Sequence, residues 1–147
     1  MAQVEGINLP DELYYHPEDH LWVRVEGPRA YVGVDDLAQK SAGKVSAVRL
    51  KPAGRPIAQG KPFGTMEAGK YVGPLKAPVA GLVAEVNAEP MAHPGLLNSD
   101  PYGEGWLIVV EMEDAGRDLA GLVHGPAVQA WLEQTVADWR KRGLLKG

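Results

Sequence analysis

A single lysine stands at the tip of what the sequence predicts to be a tight hairpin. The segment 64–81 contains two short runs of strand-forming residues with Lys70 between them. Gly69 and Gly73 allow positive φ, and Pro74 fixes the direction of the return strand. The amine of Lys70 is therefore the first candidate functional group, although exposed lysines of this kind are also common on ordinary surfaces.

The histidines are the other side chains with potential chemistry, and they do not group into a site. His16 and His20 are four residues apart, but Pro17 disfavours the helix that would bring them together, and zinc needs further ligands. We expect ordinary surface or capping roles for both. His93 and His124 lie in predicted loops without a serine elbow or phosphate-binding loop. The sequence therefore predicts a protein that is not an enzyme.

The chain contains no cysteine, and this limits its chemistry. Disulfide scaffolds, thiolate nucleophiles and zinc–cysteine sites are all excluded. If the protein takes part in redox or thiol chemistry, the sulfur must arrive on a cofactor.

Length and composition predict one β-rich domain spanning residues 1–147, with flexible ends at 1–8 and 141–147. A chain of 147 residues can bury a core, and 18 glycines with 12 prolines suit many short segments joined by turns. No apolar run is long enough to cross a membrane, and the first residues resemble neither a signal peptide nor a presequence. We expect a cytoplasmic protein.

The charge distribution is uneven. The formal net charge is −4, yet residues 40–61 contain six basic residues and no acidic one. A solvated face and a surface for an acidic partner both explain such a run. Nucleic acid is disfavoured as a partner, because aromatic residues do not alternate with the basic ones and the whole chain is acidic.

Hydrophobic periodicity predicts the main elements. Alternating segments indicate strands at 21–26 and 30–34 around a Gly27-Pro28 turn, and at 44–50, 79–87 and 106–112. Asp35 and Gly43 have the residue types that begin and end a short helix. From Val128 to Trp139 the apolar residues recur at helical spacing, which predicts an amphipathic helix packed on the sheets.

One segment recurs within the chain. Residues 42–48 and 80–86 are identical at four of seven positions. A chance match between segments rich in small residues stays open. The alternative is a β-sandwich of two quasi-equivalent halves, with the Lys70 hairpin between the repeated strands.

Several motifs in consecutive order resemble the H protein family of the glycine cleavage system, a group of lipoyl carriers related to lipoyl and biotinyl domains. The similarity extends from Leu9 to Trp139 and is strongest in residues 9–15, 20–27 and 97–106. It implies a mainly β fold: a lipoyl-domain-like barrel-sandwich hybrid of two small antiparallel sheets, a few short helices and the C-terminal amphipathic helix.

The hairpin carries the family's modification motif. Glu67 stands three residues before Lys70, and the return Ala77-Pro78-Val79-Ala80-Gly81 follows at the family's distance. The resemblance implies that Lys70 is the lipoyl attachment residue and that a lipoate ligase or lipoyl transferase recognises Glu67. Biotin is disfavoured, because biotinyl lysines are flanked by methionines.

The family's role is that of a carrier rather than a catalyst. The resemblance implies that its lipoyl arm takes an aminomethyl group from a pyridoxal-phosphate decarboxylase, the P protein. The arm presents that group to the folate-dependent T protein and is then reoxidised by the flavoprotein L. This assignment would explain how a cysteine-free chain takes part in sulfur chemistry.

The sequence departs from the family next to the lysine. Gly69 and Tyr71 replace the usual Val and Ala, Gly73-Pro74 replaces a Ser-Asp pair, and the preceding segment is basic rather than acidic. Because surface charge influences partner choice, we predict a partner surface formed by the following residues. They are Lys44, Arg49, Lys51 and Tyr71.

This surface favours a specialised H-like protein, resembling the lipoate-binding proteins of bacterial sulfur oxidation that work with a heterodisulfide-reductase-like complex. Three alternatives stay open: the H protein of glycine cleavage itself, a protein that hands lipoate to other enzymes, and a β-rich scaffold that has lost the cofactor.

Overall fold

A computed structural model describes residues 1–145, and in this range twelve strands and five helices are formed. The strands are β1 (Ala2–Val4), β2 (Ile7–Leu9), β3 (Tyr14–Tyr15), β4 (Leu21–Glu26), β5 (Arg29–Val34), β6 (Val45–Leu50), β7 (Pro56–Ile57), β8 (Pro62–Ala68), β9 (Tyr71–Lys76), β10 (Gly81–Val86), β11 (Ile108–Met112) and β12 (Val123–His124). The helices are α1 (Asp36–Ala42), α2 (Glu89–Ala92), α3 (Leu96–Ser99), α4 (Ala115–Leu119) and α5 (Ala127–Lys141).

The strands form three antiparallel sheets. A seven-stranded sheet has the order β12-β3-β4-β5-β11-β10-β7, a three-stranded sheet has the order β6-β8-β9, and β1 pairs with β2. The mainly β fold, the two principal sheets and the C-terminal helix were all predicted, and the structure confirms them. The third sheet was not expected.

The internal repeat corresponds to a structural equivalence between the two principal sheets. Its copies form β6 and β10, which lie in different sheets. Each strand contains an irregularity at the same repeat position, between Val45 and Ala47 in β6 and between Val83 and Glu85 in β10. A shared bulge position is typical of equivalent strands, and it supports the prediction of two related halves.

Two apolar clusters hold the molecule together. The first lies between the principal sheets and contains Val23 and Val110 from one sheet and Met66 from the other. The second lies under α5, where Leu132 packs in the same cluster as Trp22. Strand β4 contributes to both clusters because its successive side chains point to opposite faces. This double burial explains why Leu21, Trp22 and Val23 are all inaccessible to solvent.

The ends of the chain differ from the prediction of flexibility at 1–8. Residues 2–9 form the β1–β2 hairpin, and Ala2, Ile7 and Leu9 are buried in the cluster under α5. The physical reason is that the apolar face of α5 needs a second covering layer, which these alternating residues provide. Of the predicted flexible segment 141–147, Leu145 is buried in the same cluster, and residues 146–147 lie outside the described residues.

The loop between α3 and β11, which contains Pro101 and Tyr102, joins three elements through polar contacts. The Tyr102 hydroxyl donates to the carbonyl oxygen of Asn8 at 2.7 Å and accepts from the backbone N–H of Asp36 at 2.8 Å. Trp22 Nε1 donates to the carbonyl oxygen of Pro101 at 2.9 Å. These bonds fix the N-terminal hairpin, the start of α1 and strand β4 relative to one another.

Candidate functional site

Lys70 lies in a two-residue turn between β8 and β9. Ala68 pairs with Tyr71, so only Gly69 and Lys70 remain in the loop. Gly69 has a φ of 60°, a left-handed conformation that a residue with a side chain rarely adopts. The Lys70 side chain is exposed, and within residues 1–145 its amine has no ion pair or hydrogen bond. The tight turn with Lys70 at its tip is as predicted.

The base of the hairpin is anchored, which makes the tip a fixed platform. Met66 and Ala68 of β8 and Leu75 of β9 point inward and are buried. All three belong to the cluster between the principal sheets, together with Val45 and Val48 of β6. Burying the inward face of both strands fixes their register, and the register determines where the turn falls.

The predicted return of the hairpin at Gly73-Pro74 is wrong in detail. Gly73 pairs with Met66 and Pro74 pairs with Thr65, so both residues lie within β9 and the strand continues to Lys76. Gly73 is not among the glycines with positive φ. A proline is tolerated here because β9 is an edge strand and need not donate a hydrogen bond on its outer side.

Glu67 is placed beside the tip on the outward side of the sheet. It lies directly across from Val72, and its carboxylate is 3.7 Å from the guanidinium of Arg49 on β6. Val72 is 64 % exposed. A carboxylate and an apolar side chain therefore stand together next to Lys70. Val72 was not among the residues predicted for the site, although its alternation with the inward-pointing residues of β9 indicates that it faces outward.

The three cations of the predicted partner surface follow β6, which is an edge of the three-stranded sheet. Lys44 lies at the tip end, because the next residue, Val45, pairs with Ala68. Arg49 lies opposite Thr65, and Lys51 extends the ladder by donating its N–H to the carbonyl oxygen of Phe63 at 2.9 Å. All three side chains are exposed. We call Lys44, Arg49 and Lys51 the basic edge.

The bulge in β6 helps to align this edge. Val45 and Val48 both point into the core although they are three residues apart, because the extra residue at Ser46 shifts the alternation. In a regular strand Arg49 would point to the same inward side as Val45. The bulge reverses this, so Arg49 points outward. Lys40, by contrast, leaves the basic run: it lies on α1 and pairs with Asp36 at 3.0 Å.

Tyr71 is separated from the basic edge. Its ring lies over Gly73 on the inward side of β9, where a side-chain carbon added to Gly73 would come within 2.2 Å of the phenol oxygen. The tyrosine is 50 % exposed at the mouth of a cleft of about 670 Å³ between β9, α1 and the end of α5. The structure thus brings Lys44, Arg49 and Lys51 together and places Tyr71 on the other side of the hairpin.

His20 forms part of the wall of this cleft. It is buried, stacks on Trp131 and meets the edge of Trp139 with ring centroids 4.7 Å apart. Its Nδ1 lies 3.5 Å from Oδ2 of Asp35, the residue that caps α1. The surface or capping role expected for the histidines holds for His16, whose Nδ1 accepts two backbone N–H groups. It is wrong for His20, because α5 covers that side chain.

Residues 1–145 show no group of three or more histidines or carboxylates placed to hold a metal ion. In the same range no helix has both the length and the apolar character that crossing a membrane requires.

Comparison with known proteins identifies the family. The family model described as "Glycine cleavage H-protein" matches residues 13–135. The chain belongs to the glycine cleavage H-protein family. It is 42 % identical over 140 residues to the "Probable glycine cleavage system H protein 2" of Saccharolobus solfataricus, covering 93 % of this chain and 94 % of that protein.

Two further relatives agree. The "Glycine cleavage system H protein 3" of Aquifex aeolicus is 36 % identical over 141 residues, covering 93 % of this chain and 88 % of the relative. The crystal structure of the glycine cleavage system H protein from Mycobacterium marinum superposes with a TM-score of 0.75 at 27 % identity. That superposition covers 86 % of this chain and 98 % of the other.

Family membership confirms the resemblance and the barrel-sandwich fold. H proteins carry lipoate covalently on a lysine, and they are carriers rather than catalysts. The lipoyl cofactor and the carrier role predicted from the sequence are therefore confirmed at the level of the family.

Proposed function

We propose that Lys70 is the lipoyl attachment residue of this H protein. The observation that supports this assignment is an exposed amine with no partner among residues 1–145, held at the tip of an anchored hairpin with Glu67 beside it. An attaching enzyme must reach the amine, and the two-residue turn leaves it exposed. The residues at the tip therefore fit the group that the family carries.

The chain's own contribution is presentation. Bound lipoate supplies a dithiolane, the redox-active sulfur that the cysteine-free chain lacks. Gly69 sets the turn, Met66 and Leu75 hold the strands, and the exposed Lys70 side chain extends the reach of whatever it carries. A rigid hairpin that presents a long, exposed side chain suits a carrier that must enter the active sites of other proteins.

We further propose that this carrier serves glycine decarboxylation and works with the P, T and L proteins that the family implies. The matched family model and the names of the relatives support this alternative over the sulfur-oxidation role. The comparisons give no support to a heterodisulfide-reductase-like partner. That role stays a prediction based on Tyr71, Gly73-Pro74 and the basic run, as do the attaching enzyme and the cytoplasmic location.

Substitution of the lysine tests the assignment. Lys70→Arg keeps a positive charge but removes the amine that forms the amide, so we expect co-expression with a lipoate ligase to give no mass increase. Intact-protein mass spectrometry measures the modification, and carbon dioxide release from glycine with purified P protein measures the function. The matched control is Lys76→Arg, which changes another exposed lysine of the same hairpin.

The wild-type and Lys76→Arg proteins should be lipoylated and support decarboxylation, whereas Lys70→Arg should do neither. Modification that persists in Lys70→Arg would place the lipoyl group elsewhere. A Lys70→Arg protein with undiminished function would favour the scaffold alternative.

A further inference from the structure

The basic edge has less counter-charge than its surroundings. Lys44 and Lys51 make no ion pair within residues 1–145, and Arg49 meets only Glu67, at 3.7 Å. Exposed pairs at such distances neutralise little charge in water. Since residues 40–61 contain no acid in a chain of net charge −4, the positive potential beside Lys70 is local.

This edge is continuous with the hairpin tip. Lys44 is level with the turn, and Val72 stands across from Glu67 on β8. An exposed apolar side chain therefore shares the outward face of the sheet with the cations, with Glu67 between them. Protein interfaces commonly combine an apolar centre with a charged rim. The tip therefore has the composition of a docking surface on its outward side.

We propose that the basic edge and Val72 dock an acidic surface of the enzyme that decarboxylates glycine. This inference rests on the proposed function and commits to charge complementarity as its basis. It also gives docking a direction, because Tyr71 and the cleft lie on the opposite side of the hairpin. A partner seated on the basic edge leaves the cleft side open.

A second explanation for these cations must be tested at the same time. Lysines on an edge strand also prevent the strand from pairing with another molecule. Removing them would then cause self-association and leave partner binding unchanged. The two explanations predict different measurements.

The experiment compares two variants of the lipoylated protein that lose the same charge. Lys44→Gln/Lys51→Gln removes two cations of the basic edge, and Lys141→Gln/Arg142→Gln removes two exposed cations at the end of α5. Glycine decarboxylation by purified P protein is measured as a function of carrier concentration and of salt. Lipoylation is checked by mass, and self-association by size-exclusion chromatography.

For the basic-edge variant we expect KM for the carrier to rise roughly five- to tenfold at low ionic strength with kcat unchanged. The difference should shrink as salt rises above about 0.1 M, because the screening length then falls below about 10 Å. The α5 variant should match the wild type.

Equal KM values for both variants, with or without self-association of the basic-edge variant, would overturn the docking inference and leave the carrier function standing. A lipoylated wild-type protein that supports no decarboxylation would overturn the proposed function, and the inference with it.

Discussion

At the scale of single residues, the site is marked by the amine of Lys70, which has no ion pair or hydrogen bond within residues 1–145. Two cations near the hairpin are engaged, since Lys40 pairs with Asp36 and Arg49 faces Glu67. Lys70 projects from the turn beyond the reach of the carboxylates among the described residues. An amine without a partner can be converted to an amide at no cost in ion pairs, so modification should leave the fold unchanged.

Glu67 offers a test at this scale. We expect Glu67→Ala to lower the initial rate of lipoylation about tenfold or more, because a charge-assisted hydrogen bond to the attaching enzyme is worth about 1.5–3 kcal/mol. The time course of the mass increase at a fixed ligase concentration measures the rate. The free energy of unfolding should change by less than about 1 kcal/mol, since the Arg49 pair is exposed.

Glu85→Ala is the matched control, because Glu85 is also a strand glutamate on an outward face, paired with an arginine, Arg29, at 3.4 Å. Its lipoylation rate should equal that of the wild type. Normal lipoylation of Glu67→Ala would reduce Glu67 to an ordinary surface residue.

The residue pattern is enough to predict the tight turn with Lys70 at its tip, because a two-residue loop bounded by alternating residues leaves few registers. The roles of Lys70 and Glu67 rest on the resemblance to the family's motif and stay predictions. The prediction did not separate Tyr71 from Val72, which face opposite sides of the sheet. The side of the sheet that each residue faces depends on its pairing with Ala68 or Glu67. In neighbouring β6 the alternation is shifted by a bulge that no residue type in the sequence indicates. The three cations of the predicted partner surface therefore lie along one strand and Tyr71 lies on the other side of the hairpin, and the role of these residues in partner binding stays a prediction.

At the scale of elements, helix α5 determines which other segments become ordered. Its buried residues Val128, Leu132 and Val136 create an apolar surface that β1, β2 and the outer side of β4 cover. Three-residue strands such as β1 and β2 have too little local signal to be recognised in the sequence, and they form because this surface is available. The prediction of a flexible start overlooked this tertiary contribution.

The repeat gives a paired test of the fold. Gly43 and Gly81 occupy equivalent repeat positions, and both have positive φ, 87° and 155°. A side-chain carbon would find open space at Gly43, but at Gly81 it would come within 1.9 Å of the carbonyl oxygen of Glu111. We expect Gly43→Ala to cost about 1–3 kcal/mol from backbone strain alone.

Gly81→Ala adds a backbone clash and should cost about 3–5 kcal/mol in free energy of unfolding. Urea denaturation of both variants measures the difference. Equal losses would show that β10 and β11 can separate to admit a methyl group, and that these two strands of the seven-stranded sheet are less firmly paired than the structure indicates.

At the scale of the whole molecule, the hydroxyls of one buried and one half-buried tyrosine tie the cluster under α5 to neighbouring segments of the chain. Tyr15 donates to the carbonyl oxygen of Pro10 at 2.7 Å, and Tyr102 joins Asn8 to Asp36. Burial raises the pKa of both phenols well above the usual value, and the charge of Asp35 raises the pKa further. Ionisation of either group is therefore strongly disfavoured in the folded chain, and we expect their titration to accompany unfolding.

Alkaline titration tests the raised pKa of Tyr15 and Tyr102. The unfolded chain releases these protons near pH 10 and the folded chain does not, so their contribution to stability is complete below about pH 10 and is lost as pH rises above it. For two such groups the loss approaches about 2.7 kcal/mol per pH unit. Absorbance at 295 nm follows the ionisation of the five tyrosines. We expect part of this absorbance change to appear only at the pH at which near-UV circular dichroism reports unfolding. Tyr102→Phe should halve the absorbance change that appears only on unfolding. Ionisation of all five tyrosines in the folded protein would contradict the placement of Tyr15 and Tyr102.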